Sequence, residues 1–222
     1  MSDASDGRRH VRRLPADREA ADEIRTWSRA ADTTIDLCGL DASGADLTGA
    51  DLRMGLFCDA RLADAVLVEA DLYRAWLNES VLDRADLTRA ALVKAVLDGA
   101  SMAGTILHGA NLGSAELYEV DARAASFRHA RLNGASFSSV RLEGADLTGA
   151  TVSGTVFKVL LDEHTIVRDL CGTVHGPARV SERGAVRELA GPELERWLNR
   201  RGASVTVIGP RWASSGVVEP GV

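Results

Sequence analysis

Residues 45–49, Ala-Asp-Leu-Thr-Gly, recur unchanged at residues 145–149, and units of this kind fill the chain from residue 37 to residue 157. In that range every residue whose number leaves remainder two on division by five is Leu, Phe, Met, Val or Ala. These are 25 successive positions, and 17 of the residues two places before them are Ala. A period of five matches neither a helix nor a strand. It predicts a solenoid, in which each short unit buries its apolar face by stacking on the next.

The pattern resembles the pentapeptide-repeat family, whose members form a right-handed, four-sided β-helix. The resemblance covers more than half of the chain and implies an all-β solenoid of about six coils stacked at the spacing of β-strands. It implies that the central Leu or Phe and the Ala two places before it point inward, while the other three positions face solvent. With four pentads in a coil, residues twenty apart stack on the same side. Gly at the fifth position, as in Gly49, suits the corner turns because a positive φ costs it little.

The segments outside the repeats predict caps and tails. A helix is predicted after Pro15, because Ala20, Ile24 and Trp27 share one face. A helix with one apolar stripe directly before a solenoid covers the first coil, whose backbone edge would otherwise be open. We therefore expect five parts: a tail at 1–14, a capping helix at 15–34, the β-helix at 35–157, a C-terminal cap at 158–210 and a tail at 211–222.

A small α+β element is predicted after the repeats. Residues 178–181 and 185–189 are strand-like and flank a short turn, which predicts a β-hairpin. A short helix follows, with Pro192 in its first turn and Gly202 just past its end. The helix leads into an apolar strand at residues 204–208.

The end of the chain is also similar to the ending of the quinolone-resistance branch of the family, whose members dimerise through a helix, a Gly and a brief strand. The hairpin before it is not part of that pattern. A helix of about ten residues is not stable alone, so it packs either on the last coil or against its two-fold mate, and we favour a homodimer. The apolar stripe of this helix consists of Leu194, Trp197 and Leu198.

Composition and charge limit the functional classes. The formal net charge is −6, which disfavours direct binding to nucleic acid. Residues 34–157 hold 17 Asp and Glu against 10 Lys and Arg, so the repeats are the acidic part of the chain. No stretch is long and apolar enough to cross a membrane, and the amino terminus lacks the apolar core of a signal peptide. We expect a cytoplasmic protein that contacts neither nucleic acid nor membrane.

The sequence shows no recognisable catalytic constellation. The five His residues have no metal-ligand spacing with one another or with the three Cys residues, and the glycines belong to the five-residue period rather than to a phosphate loop. Cys38 and Cys58 are twenty apart and are expected to stack on adjacent coils within disulfide range. In a reducing compartment we favour two free thiols. We expect no enzymatic activity, no metal and no cofactor.

Columns of outward residues supply the candidate binding residues. Leu56, Trp76 and Val96 form an apolar column at a position that the family usually gives to Asp or Asn. Such a column predicts docking, either of a partner protein or of the chain's own terminal segment. Aspartates at the same position of other pentads fall one on each side of the first coil and continue along later coils. We assign them to an acidic partner-binding face that consists of Asp36, Asp41, Asp46, Asp51, Asp71 and Asp86.

The resemblance leads to two functional hypotheses. Rods of the topoisomerase-protecting branch have the width and negative surface of duplex DNA and occupy the DNA groove of gyrase. On this hypothesis the chain mimics DNA, modulates or protects a type II topoisomerase, and gives resistance to a topoisomerase poison. The Arg residues interspersed in the repeats weaken the hypothesis. The alternative is a rigid protein–protein interaction scaffold for another partner, bound at the Trp76 column or the C-terminal element. A continuous negative face favours mimicry, and a broken one favours the scaffold.

Overall fold

The computed structural model describes residues 11–30 and 33–209, and most of the described chain is a solenoid. Parallel bridges join each outward residue to the one twenty positions later, as in Leu56–Trp76 and Trp76–Val96. The same register holds along three further columns of bridges. Four pentads therefore make one coil, and the prediction of an all-β, four-sided β-helix is confirmed.

The interior of the solenoid is a narrow apolar tube. The central residue of each pentad is at most 1% exposed, and the residue two places before it is buried in every pentad except that of Leu40, which is partly buried. Phe127, Phe137 and Phe157 stack along the tube, with successive ring centroids 6.1 and 6.4 Å apart. Each fully buried Leu or Phe stabilises the fold by roughly 1.5–3 kcal/mol, so the five-residue period is itself the main source of stability.

Each corner of a coil uses a residue in the left-handed region. The residue two places after the central one has a positive φ, for example 69° at Gly49 and 58° at Asp59. Glycine adopts this conformation freely, whereas other residues are strained in it. Bonds between coils hold the strained corners in place, as where the N–H of Asp59 donates to the carbonyl of Asn78 at 2.9 Å. Corners therefore accept many residue types, including carboxylates.

In the later coils the bridges lengthen into continuous parallel strands. The register between two of them shifts by one residue next to Ser138, where the strands bulge. The four strands are β1 (Glu116–Tyr118), β2 (Ser136–Arg141), β3 (Thr155–Asp162) and β4 (Cys171–His175).

The solenoid continues beyond Phe157, where the sequence pattern ended it. Cys171 bridges Thr151 in the same twenty-residue register as before. The apolar period fails in the sequence because Asp162 occupies the position expected for an inward Leu or Phe. Its carboxylate instead holds an extra turn and accepts the N–H of Thr165 at 2.8 Å. The turn adds one residue and so compensates for the one-residue register shift described above. The bridges that follow therefore return to the twenty-residue spacing.

At the amino-terminal end, α1 (Arg18–Arg29) covers the first coil. The N-cap is Asp17, whose carboxylate accepts the N–H of Ala20 at 2.9 Å. Because a side-chain cap fixes the first turn, the helix begins at Arg18 and not directly after Pro15. Trp27 is 2% exposed and belongs to the same apolar core as the coils.

The backbone edge of the first coil is also paired at Asp46. The N–H of Asp46 donates to the carbonyl of Arg13 at 2.8 Å, and the N–H of Arg12 donates to the carbonyl of Asp46 at 3.0 Å. Part of the tail predicted at residues 1–14 thus pairs with the solenoid. The rest of that tail and the one predicted at 211–222 lie outside the described residues.

The carboxyl-terminal end carries the predicted α+β element. β5 (Ala178–Glu182) pairs in parallel with β3 and antiparallel with β6 (Ala185–Leu189). The helix α2 (Gly191–Asn199) follows, and β7 (Ser204–Ile208) returns to pair in parallel with β4. The hairpin and the helix therefore close the last coil.

Candidate protein-binding surfaces

The four sides of the solenoid differ in charge. The first side is the one whose column of bridged residues contains Leu56, Trp76 and Val96, and the second, third and fourth sides follow it in chain order. Between residues 36 and 154 the first side carries six carboxylates and no Lys or Arg. The second side carries five carboxylates and four Lys or Arg residues, the third carries four and two, and the fourth carries two and four. Nearly all the excess negative charge of the repeats is therefore on the first side. Its carboxylates are Asp36, Asp59, Glu79, Asp98, Glu116 and Glu119.

On the second and third sides, carboxylates pair with Arg on the next coil. Arg84 donates two hydrogen bonds to Asp64, at 2.8 and 2.7 Å, and Arg89 donates to Glu69 at 2.9 Å. The hydrogen bonds from Arg84 lower the pKa of Asp64. Among the described residues, no ion pair involves any of the six carboxylates of the first side. Exposed pairs add little stability, but they cancel charge on the sides that have them.

The structure distributes the six aspartates predicted as an acidic face over all four sides, with only Asp36 on the first. Each accepts a hydrogen bond from the N–H two residues later, at 2.9–3.4 Å. Such Asx turns stabilise a chain reversal, so these carboxylates support the corners. Hydrogen bonds from Ser43 lower the pKa of Asp41 for this reason. The full set is Asp36, Asp41, Asp46, Asp51, Asp71 and Asp86.

The remaining acids of the first side were missed from the sequence. Asp59 and Glu79 occupy the same corner of successive coils, with φ of 58° and 56°. Like charges stacked in this way repel one another, and the corner of the next coil is Gly99, over which the Glu79 carboxylate lies. Stability alone does not account for this arrangement. These acids can be identified from the sequence when the chain is written in rows of twenty residues, because residues of one side then fall in neighbouring columns.

The predicted apolar column lies on this same side. Trp76 is 51% exposed and Leu56 is 37% exposed, while Val96 is half-buried. Tyr118, one coil further, is also 51% exposed, and its N–H donates to the carboxylate of Asp98 at 2.8 Å. The first side is therefore an apolar stripe set among carboxylates, a composition suited to a protein partner that is both basic and apolar.

The stripe of the C-terminal helix is covered by its own chain. Leu194 and Leu198 are fully buried and Trp197 is 7% exposed. The Asn199 side chain bonds both the N–H and the carbonyl of Val205 at 3.0 Å, so α2 also occupies the edge of β7. Of the two predicted roles for this helix, cap and dimer contact, the geometry supports the cap.

The cysteines do not form a disulfide. Cys38, Cys58 and Cys171 are free. Cys38 and Cys58 are neighbours on successive coils, since the N–H of Gly39 donates to the carbonyl of Cys58 at 2.9 Å. Desolvation and the adjacent Asp36 raise the pKa of the Cys38 thiol to about 11. Within residues 11–30 and 33–209, no group of three or more His, Cys, Asp or Glu side chains could hold a metal ion. No helix of that region is long and apolar enough to span a membrane.

Comparison with known proteins identifies the repeat. A sequence model described as pentapeptide repeats (8 copies) matches residues 45–83, 80–117 and 115–154. No match is found among curated proteins.

Solved structures of other pentapeptide repeat proteins also match. HetL, involved in heterocyst differentiation regulation in the cyanobacterium Nostoc sp. strain PCC 7120, is 26% identical over 69% of this chain and 90% of its own, with a TM-score of 0.25. Rfr23, from the cyanobacterium Cyanothece 51142, is 23% identical over 62% and 67%, with a TM-score of 0.30. Full-length QnrB1, a plasmid-mediated fluoroquinolone resistance protein, is 14% identical over 81% and 93%, with a TM-score of 0.33.

The unbroken five-residue period, the twenty-residue register of the bridges and the match to the family's own sequence pattern agree with one another. This chain belongs to the pentapeptide-repeat family.

Proposed function

We propose that this protein is non-enzymatic and acts by binding a partner protein through the first side of the solenoid. The proposed partner is a type II topoisomerase, DNA gyrase, whose basic DNA-binding groove would receive this side in place of DNA. Binding there would modulate the enzyme or protect it from a poison, in the cytoplasm. The observation that carries the proposal is the row of carboxylates on a side that has no Lys or Arg between residues 36 and 154.

The spacing of these carboxylates is comparable to that of a DNA strand. From Asp36 to Glu119 the first side rises by four coils, or about 19 Å at the strand spacing of about 4.8 Å. Six carboxylates over that length correspond to about one every 4 Å, compared with one phosphate per 3.4 Å along a DNA strand. A groove lined with Lys and Arg would therefore meet a similar density of negative charge.

The carboxylates of the first side are also available to a partner. They have no Arg or Lys partner among the described residues, whereas Asp64 and Glu69 on neighbouring sides are held by Arg84 and Arg89. A partner would have to break those pairs but not any on the first side. The interspersed Arg residues that weakened the mimicry hypothesis thus lie on the other three sides.

A second candidate function rests on the exposed indole of Trp76. A scaffold that docks another partner would use the column of Leu56, Trp76 and Val96 as its apolar centre, since exposed aromatic anchors dominate many protein interfaces. The two functions differ in how strongly binding depends on Trp76. Changing Trp76 to Ala should have little effect on electrostatic mimicry and a large effect on scaffold docking.

A supercoiling assay tests the topoisomerase proposal. Purified protein should inhibit DNA gyrase or protect it from a quinolone, and the effect should fall at least about tenfold between low and high salt because charge pairing across an interface is screened. An effect that is insensitive to salt and lost in Trp76→Ala would favour the scaffold. The absence of any effect on gyrase, with or without a quinolone, would overturn the proposal of a topoisomerase partner.

A further inference from the structure

The C-terminal hairpin leaves one strand edge uncovered. β6 pairs only with β5, and in the part of the chain that the structure describes no other backbone or side-chain group bonds its free edge. Four of its five residues are exposed, and Val186 is 49% exposed. The turn at Arg183 and Gly184 has positive φ at both residues, which suits a tight two-residue hairpin. The strand is therefore held in place while its outer N–H and C=O groups remain unpaired.

Two other backbone edges are bonded by groups of the same chain. On β7, the backbone of Val205 bonds the side chain of Asn199, and the N–H of Val207 donates to the carboxylate of Glu195 at 2.9 Å. At the opposite end of the solenoid, Asp46 pairs with Arg13. Proteins commonly cover strand edges to prevent unwanted pairing, and the edge of β6 has no such cover among the described residues.

A basic groove runs beside this edge, between β6 and α2. It has a volume of about 390 Å³ and contains four Arg and two Glu residues. Arg187 and Leu189 contribute to it from β6. The remaining lining residues come from the end of β5 and from α2 with the two residues that follow it, and they are Glu182, Glu193, Arg196, Trp197, Arg200 and Arg201.

One carboxylate of the groove already accepts hydrogen bonds from three side chains of this chain. Glu182 accepts hydrogen bonds from the indole N–H of Trp197 at 3.0 Å, from Arg201 at 2.8 Å and from Arg187 at 3.2 Å. The guanidinium of Arg201 also stacks over the Trp197 ring, 3.9 Å from its centroid. These contacts make a rigid floor, and they hold the pKa of Glu182 below its ordinary value, chiefly through the Trp197 hydrogen bond.

Two cations of the groove are available to a ligand. Arg196 and Arg200 lie one helical turn apart near the end of α2. Among the described residues, neither forms an ion pair with a carboxylate. The groove thus offers two unpaired guanidinium groups next to an unpaired strand edge.

We propose that this groove binds an extended, acidic peptide segment of a partner protein, which adds to β6 as a further strand. Side chains of an added strand alternate between the two faces of the sheet. Those on the face of Arg187 and Leu189 would point towards α2, where acidic groups can pair with Arg196 and Arg200. A nucleic acid has phosphates for the guanidinium groups but no peptide backbone to pair with the strand. This binding site goes beyond the function proposed for the first side and does not depend on it.

A second copy of this chain fits the edge less well. Two β6 strands related by a two-fold axis would place Arg187 opposite Arg187, or Glu188 opposite Glu188, when the axis passes through the charged part of the strand. Like charges directly opposite one another destabilise a strand pair. The charges of β6 therefore favour a different chain as the added strand.

Fluorescence anisotropy with a labelled peptide tests the proposal on the full-length protein. The probe is an eight-residue peptide of alternating valine and glutamate, and two control peptides carry lysine in place of glutamate or N-methyl groups on alternate backbone nitrogens. We expect the acidic probe to bind and both controls to bind at least about tenfold more weakly, because one lacks charge complementarity and the other cannot pair with a strand edge.

Protein variants locate the binding site. The double variant Arg196→Ala, Arg200→Ala should weaken binding of the acidic probe at least about tenfold. Arg74→Ala with Arg131→Ala removes the same charge from the fourth side and should leave binding unchanged. Equal binding of the N-methylated peptide, an equal loss in both double variants, or no binding at all would overturn the proposal. Tighter binding of a DNA oligonucleotide of equal charge would overturn it too and assign the groove to nucleic acid.

Discussion

The first and second sides of the solenoid have the same backbone arrangement and differ in their outward side chains. Both repeat every twenty residues, and both use the same inward and corner positions. On the second side Asp64 is followed twenty residues later by Arg84, and the two side chains pair. On the first side Asp59 is followed by Glu79, and the charges stack without compensation. The period of five specifies the fold, whereas the choice of residues at every twentieth position specifies the surface.

This difference separates folding from binding. A side that served only stability would alternate its charges as the second side does, because paired charges avoid repulsion. The first side instead keeps like charges together around an exposed Trp76. Changes that disturb the period should therefore unfold the chain, and changes that keep the period but move residues between sides should affect binding alone.

Inserting one residue after Gly99 should have the largest effect on folding. One added residue moves every later inward Leu and Phe out of the tube, as a register slip does in a sheet. We expect gross loss of folding, measured as loss of the far-ultraviolet β signal or as aggregation. Inserting the five residues Ala-Asp-Leu-Thr-Gly at the same point keeps the period and should preserve the fold.

The five-residue insertion also redistributes charge. It turns all later pentads by one side, so Glu116 and Glu119 leave the row that contains Asp59 and Glu79. We expect a folded protein with weaker binding to its partner through the first side. A well-folded one-residue insertion, or an unfolded five-residue insertion, would contradict the account of the period.

Replacing Leu92 by Arg should have the next largest effect. Leu92 is fully buried at a central position, and an unpaired charge in the tube should destabilise the fold by more than about 4 kcal/mol. The outward neighbour Val93 supplies the control, since Val93→Arg puts the same charge on the fourth side. Denaturant unfolding of the two variants checks this, and equal stabilities would show that the assignment of inward and outward positions is wrong.

Part of the dependence of stability on pH should come from the paired sides. Hydrogen bonds from Arg84 and Arg123 lower the pKa of Asp64 and Asp121. A carboxylate with a lowered pKa stabilises the fold at neutral pH, and this contribution is lost as the pH falls below the ordinary value of 3.8 and through the lowered pKa. We expect the melting temperature to fall over that range.

Removing the two Arg partners should make this fall smaller. The double variant Arg84→Ala, Arg123→Ala lacks the groups that lower the pKa of Asp64 and Asp121, whereas Arg74→Ala with Arg131→Ala removes Arg residues that form no ion pair in the described part of the chain. Melting curves between pH 7 and pH 2.5 compare them. Identical pH profiles for the first double variant and the unmodified protein would contradict the role given to these pairs.

The sequence predicts the solenoid well because the rule that creates it is local. Each inward residue is identified by its position in the pentad, so Leu92 can be assigned without any knowledge of its neighbours. The failure at Asp162 has the same origin, since a polar residue at one position that the period predicts to be inward hides a coil that the backbone continues. The start of α1 was misplaced because Asp17, rather than Pro15, supplies the cap.

The candidate surfaces were harder to predict because they depend on which residues share a side. Asp46 and Asp59 are both outward acids in the sequence, yet one supports a corner turn and the other belongs to an unpaired row. Nor does the apolar stripe of α2 reveal what covers it, since Trp197 would look the same under a coil or in a dimer. The open edge of β6 becomes visible only when the pairing of the neighbouring strands is known.

The claim that the first side is the binding surface can be tested with two matched double variants. Asp59→Lys with Glu79→Lys reverses two charges on the first side, and Asp64→Lys with Glu69→Lys reverses two charges at the same corner position on the second and third sides. Inhibition or protection of gyrase is titrated for both, with the melting temperature of each as a control for folding. We predict that the first double variant loses at least about tenfold in potency and that the second changes by less than about twofold. Equal losses in the two, at unchanged melting temperature, would contradict the central role of the first side.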